Sequence, residues 1–262
     1  MQRWVDRAGL SSNVLTALLL LAMTVAAWLA TVRADSTMQM GQGVELVSLE
    51  AGAAYALQWG VMMAAMMLPS ATPMILLYKA VSRRPAAREE RVVSAESFAL
   101  VYLGLWLLTG IPVYLASTAM TALTLRSTAL ASAIPYMVAG TLIAAGLYQL
   151  SSLKRACLRE CDAPMNFLMR RWRGGHAGSL RLAATHAAYC IGCCWALMVV
   201  LVAAGAMSLK WVLAISLVVF AEKVLPRGAR TARMIGVALI AAGVAVAARP
   251  ELAAMLKPHG MH

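Results

Sequence analysis

The sequence predicts an all-α fold: a polytopic helical membrane bundle of about seven transmembrane helices, forming one integral membrane domain over residues 1–262. Three observations lead there. Hydrophobic residues make up 61% of the chain and its mean hydropathy is +0.73, against roughly 45–50% apolar in soluble domains even with glycine counted. Charged residues, 13% of the total, are gathered in short blocks. Between the blocks lie uncharged runs near the ~20 residues that a helix needs to cross the hydrocarbon.

The first run is Val14–Val32. A basic start and a small residue at Ala34 give this segment the outline of a secretory signal, but its apolar core exceeds the usual ~7–15 residues, so an uncleaved helix is expected. Tyr55–Tyr78, Phe98–Thr118, Ile134–Leu153 and Leu182–Ala204 follow. Leu209–Leu225 and Arg233–Ala248 complete the set and are the shortest. Glu222 and Lys223 near the end of the sixth run read as an interfacial ion pair, and tilt, a thinned bilayer or a merged re-entrant hairpin would change the number of crossings. No repeat, low-complexity tract or linker suggests a second, soluble domain.

Orientation follows from lysine and arginine, which accumulate in cytoplasmic segments. With seven spans and the N-terminus inside, all but Arg33, Arg126, Lys210, Arg249 and Lys257 of the 23 basic residues fall on the cytoplasmic side, and the C-terminus lies outside. The formal charge of +12 is then a topology signal that also attracts anionic headgroups of the lipid bilayer. Binding of nucleic acid is not expected.

The second span contains "WGVMMAAMMLPSATPM". At about 100° per residue, Tyr55, Trp59, Met62, Met63, Met66, Ser70, Pro73 and Met74 share one side, and Leu57, Val61, Leu68 and Ile75 the other. The sulfur-bearing side is expected to face the bundle interior. Pro69 and Pro73 lack N–H groups, so the carbonyls of Ala65 and Pro69 lose helical partners and a kink is expected where the methionines end. Methionine also fills irregular gaps in packed helices, and packing alone would account for any one of these residues.

A second set of soft side chains gives the cluster weight. In "HAAYCIGCCW", His186, Cys190 and Cys193 are spaced i, i+4, i+7 on one stripe with Tyr189 and Leu197; Cys194 flanks it and Trp195 points away. Histidine and cysteine on adjacent turns can converge on one ion, and thiolate, thioether and imidazole favour Cu(I), with zinc as the alternative. After the fourth span, "LKRACLREC" places Cys157 and Cys161 on one face with Leu150 and Leu153, opposite Lys154, Arg155 and Arg159. This segment reads as an amphipathic helix at the cytoplasmic interface, ended near Pro164, whose basic neighbours favour thiolates. All five cysteines thus fall in the half facing the reducing compartment. Met38 and Met40, and His259, Met261 and His262, offer thioether and imidazole groups outside.

The stretch Trp59-Gly-Val-Met-Met-Ala-Ala-Met-Met-Leu-Pro-Ser, then "YQLSSLKRACLREC", "HAAYCIGCCWALM" and "EKVLP" together resemble a bacterial family of metal-binding integral membrane proteins. That family is associated with copper supply to polyphenol oxidase (tyrosinase). The resemblance covers roughly residues 50 to 248. It implies a copper-supply or chaperone role in the bacterial inner membrane, with a copper-requiring oxidase or metallochaperone as partner. The ligands it implies are Met62, Met63, Met66, Met67, Cys157, Cys161, His186, Cys190, Cys193 and Cys194.

Two other readings remain. Cys190 and Cys193 form a C-x-x-C dithiol that would suit a membrane thiol-disulfide protein exchanging electrons with a quinone, with Cys157 and Cys161 as a shuttle pair. Alternatively the sulfur is packing and the chain is a non-metal transporter or assembly factor. No phosphate loop, paired intramembrane carboxylates or nucleophile–base–acid set is present in the sequence, so hydrolytic and phosphoryl-transfer enzymes are not expected.

Overall fold

A computed structural model describes residues 2–38, 48–84, 90–203, 209–225 and 227–253, with the side chains of residues 2–12 and 35–38 left aside. Among them there is no strand. The helices are α1 (Gln2–Met38), α2 (Leu49–Ser82), α3 (Ala95–Leu108), α4 (Gly110–Arg126), α5 (Thr128–Leu150), α6 (Ser152–Asp162), α7 (Pro164–Arg171), α8 (Gly175–Ala203), α9 (Leu209–Val224) and α10 (Gly228–Ala248).

Six stretches are long and apolar enough to cross a membrane: Asn13–Ala34, α2, the α3–α4 unit Ala95–Arg126, α5, α8 and α10. The remaining expected run is helical too, but α9 has 16 residues, about 24 Å of rise against ~30 Å of hydrocarbon. Its polar end does not reach for water. Glu222 and Lys223 are buried at 1% and 8% exposure, so α9 ends inside the bundle.

The α3–α4 unit is interrupted at Thr109. Pro112 has no N–H to offer the carbonyl of Leu108, and the Thr109 hydroxyl bonds back to the Trp106 carbonyl at 2.6 Å. The same hydroxyl accepts from Trp59 Nε1 at 3.0 Å, which ties this joint to α2.

Helix α2 is the central post: α1, α3, α4, α7 and α9 all pack on it. Leu68 and Ile75, which the helical pattern places outside, are therefore as buried as the methionines. A helix surrounded on all sides is apolar on all sides. Pro69 and Pro73 leave α2 continuous from Leu49 to Ser82, with the hydroxyls of Ser70 and Thr72 bonded to the carbonyls of Met67 and Leu68 at 3.0 and 2.8 Å.

Two elements stand at the periphery. Helix α1 exposes Leu15, Leu18, Leu21 and Leu29 by more than half, a surface suited to lipid. Helix α10 packs on α5 through small residues: a methyl group at Gly146 would lie 2.6 Å from the Gly236 carbonyl oxygen, so only glycine permits this approach.

Candidate metal centre

Helix α8 buries the stripe that its spacing predicts. His186, Cys190, Cys193 and Leu197 are at most 4% exposed and Cys194 is 1% exposed, while Trp195 is 46% exposed. Tyr189 is half-buried at the edge, where its hydroxyl accepts from Arg171 Nη2 at 2.6 Å.

Helix α6 is turned differently from its expected pose. Ser151 ends α5 in an extended conformation and its hydroxyl accepts from the Lys154 amide at 3.1 Å, which starts a new helix directed against α8 and α9. Leu153 is 61% exposed, whereas Lys154 is fully buried with Leu158. The face that enters the protein is the i, i+4, i+7 stripe Lys154, Leu158, Cys161, with Cys157 at its side. Cys161 Sγ lies 3.8 Å from Cys193 Sγ, and Cys193 Sγ lies 3.3 Å from Cys194 Sγ. Cys157 Sγ rests on Gly192, where an added methyl would come within 3.0 Å of it.

The expectation that basic neighbours make Cys157 a thiolate is reversed. Burial raises its thiol above the ordinary 9.0, Lys154 pulls the other way, and Glu160 reinforces the rise. Desolvation outweighs one cation here.

Lys154 is buried because it has partners. Its ammonium donates to Glu222 Oε2 at 2.6 Å and to the Cys193 carbonyl. Gln149 Nε2 donates to Glu222 Oε1 at 2.8 Å. The expected Glu222–Lys223 pair is not formed, since adjacent helical residues point about 100° apart. Lys223 instead donates to Cys190 Sγ at 2.8 Å, and the Tyr102 hydroxyl stands 3.0 Å from the same sulfur. A bond from the Tyr148 hydroxyl to the Gly192 carbonyl closes the shell.

His186 sits among three rings, with centroids of Phe167, Tyr102 and Phe98 at 5.5, 5.6 and 6.3 Å. Its Nδ1 is buried without a protein hydrogen-bond partner. Imidazole and thiols share one stripe but not one focus: Cys190 turns to Lys223, Cys193 to Cys161 and Cys194. Among the described residues, no group of three or more His, Cys, Asp or Glu is gathered as a metal site.

Met62, Met63, Met66 and Met67 are at most 1% exposed and belong to the same apolar core as the α8 cysteines. Their helix does not pack extensively on α8. Helices α3 and α9 each touch both, and so lie between. The side chain of Met38, together with Met40, His259, Met261 and His262, lies outside the described residues.

Sequence spacing identified the α8 stripe and missed Lys154, Lys223, Tyr102, Tyr148 and Gln149. One signal was available: a lone carboxylate within an apolar run, Glu222, demands a buried cation. Thiols beside ammonium groups, with thioethers in the same core, make an arrangement that can hold a soft cation and balance the charge of its thiolates. No curated protein and no solved structure matches the chain. The profile of the PpoB2 family, described as copper chaperones, matches residues 56–246 and so takes in every sulfur and the histidine of this core. The chain belongs to the PpoB2 family of copper chaperones.

Proposed function

We propose that the protein carries Cu(I) on sulfur within the bacterial inner membrane and supplies it to a copper-requiring oxidase or a metallochaperone. Thiolates of Cys190, Cys193 and Cys194, with Cys157 and Cys161 at the entrance, receive the ion; His186 supplies a nitrogen, and Met62, Met63, Met66 and Met67 form the thioether half of the route. With the short α9 counted as a seventh crossing beside the six long ones, the N-terminus is cytoplasmic and the C-terminus periplasmic, so the thiols lie toward the reducing side. The protein acts as a carrier rather than a catalyst.

The observation that carries this reading is the contact between separate helices at sulfur, with Cys161 of α6 3.8 Å from Cys193 of α8 and Cys194 3.3 Å beyond. Metal–thiolate bonds of about 2.3 Å allow two sulfurs on one ion to lie up to about 4.6 Å apart. Both separations fall within that reach without backbone movement. Three sulfurs in succession, from Cys161 through Cys193 to Cys194, make a thiolate donor set, and thiolate and thioether ligands together suit the soft Cu(I) ion. Lys154 and Lys223 offset the negative charge of a Cu(I) dithiolate in a medium where an unbalanced charge is costly.

The test is a competition for Cu(I) between the purified full-length chain, kept reduced, and a soluble chelator. Exchanging Cys161 and Cys193 together for serine is expected to weaken copper retention by more than about tenfold, the lower end of what even an outer-sphere change costs a metal site. The variant should retain the helical content and monodispersity of the parent. Unchanged retention in a folded variant refutes the thiolate site.

A further inference from the structure

The charge that copper handling leaves unused is concentrated where α7 meets α8. A polar cavity of about 200 Å³ there is lined by Arg170, Arg171, Arg173, Arg181 and Thr185. The chain builds it with two glycines. Gly175 has φ +81°, a conformation that L side chains rarely adopt, and it reverses the chain into α8. A methyl at Gly178 would lie 2.4 Å from the Arg173 carbonyl oxygen; its absence lets the arginine-bearing turn lie against the first turns of α8.

Four guanidinium groups line this cavity, and the carboxylate of Glu160, which is not part of the lining, meets two of them. Arg170 Nη2 pairs with Glu160 Oε1 at 2.6 Å, and Arg171 Nε approaches Oε2 at 3.7 Å while its ring-stacked guanidinium bonds Tyr189. Arg173 and Arg181 form no ion pair among the described residues. The excess is strongly positive, and guanidinium forks match phosphate oxygens.

Depth decides which phosphate. Helix α8 has 29 residues, about 44 Å of rise, against ~30 Å of hydrocarbon and ~40–45 Å with headgroups included. Its apolar part begins at Leu182, so the turns holding Gly178 and Arg181 stand in the headgroup layer. We propose that this cavity is a phosphate site filled by the headgroup of an anionic phospholipid, an anchor that holds the α7–α8 corner at the membrane surface.

The experiment titrates the full-length protein in neutral detergent with phosphatidylglycerol and reads bound lipid by native mass spectrometry, with phosphatidylcholine as the neutral comparison. Arg173→Gln with Arg181→Gln should weaken phosphatidylglycerol binding by about thirtyfold, the loss of two basic contacts with an anionic headgroup, and leave copper retention unchanged. Arg126→Gln with Arg249→Gln makes the same charge change at residues that do not line the cavity and should have little effect. If the first pair does not accumulate, Thr185→Asp places a carboxylate in the same cavity and should produce a similar loss. Equal weakening by both pairs, or no preference over phosphatidylcholine, overturns the site. Displacement of the lipid by millimolar inorganic phosphate overturns the headgroup as occupant in favour of the free anion.

Discussion

Two sulfur neighbourhoods, equally buried, are built on opposite electrostatic terms. On α2 the four methionines are enclosed in an apolar core with no ion pair on their own turns. On α8 the cysteines are at most 1% exposed too, but two ammonium groups, a carboxylate, a carboxamide and two phenols surround them. A thioether is neutral and binds without losing a proton. A thiol becomes a ligand only as the anion, and an anion in this medium needs a cation beside it. The helices thus hold one element in two chemical forms, and the charged residues follow the form that needs them.

The largest effect is expected where the charged scaffold is broken. Glu222→Gln keeps the shape and the contact with Gln149, but leaves Lys154 buried at 0% exposure with a carbonyl as its remaining partner. Removing one member of a buried ion pair typically costs about 3–5 kcal/mol. Denaturant unfolding in detergent should register a loss of that order. Lys154→Met combined with Glu222→Met removes both charges and should recover most of it. A double variant no more stable than Glu222→Gln would mean that packing around these side chains, rather than their charge, sets the stability of this floor.

The methionine side should respond in the reverse sense, with little lost in stability and much in copper. Leucine keeps the approximate volume of methionine, and such exchanges usually cost less than about 1.5 kcal/mol each. Met63→Leu and Met66→Leu are therefore expected to unfold close to the parent. Replacing all four of Met62, Met63, Met66 and Met67 by leucine should lower copper delivered to an acceptor under conditions in which the thiols still load. Delivery at the parental level would leave these residues as packing and reduce the route to its histidine and cysteine half.

The sequence made the bundle legible because hydrophobic runs and basic blocks are local signals, and each run marks a helical stretch even where, as at Thr109 and Ser151, the helix is interrupted. The α8 stripe was legible for the same reason: i, i+4, i+7 on one helix fixes which residues share a face. Lys154 was not. Its charge reads as a topology marker, and what reverses that reading is Glu222, 68 residues away, whose pairing no local pattern encodes. The two-sided burial of α2 was hidden likewise, because the pattern along one helix does not encode that five others surround it. Charged residues near apolar runs are where the local reading failed, and they turned out to support the thiols.

The smallest expected effect, and the finest test of the contrast, concerns Cys157, which lies between the two regimes. It is half-exposed, has Lys154 on its own helix, and still holds its proton more firmly than an ordinary thiol because burial against α8 dominates. A folded-state pKa raised above the unfolded value gives a contribution that is complete below the ordinary 9.0 and is lost as pH rises through the folded value. The neutral thiol should therefore persist at neutral pH and alkylate slowly, with its rate still climbing beyond pH 9, in a chain whose other four cysteines are replaced by serine. Lys154→Met, made together with Glu222→Met so that no charge is stranded, removes a cation that lowers this pKa and a carboxylate that stabilises that cation. The alkylation profile should then move further toward alkaline pH. A profile that moves toward neutral pH would show that Lys154 does not stabilise the Cys157 thiolate, and that the lysines of this floor serve the deeper sulfurs of α8 alone.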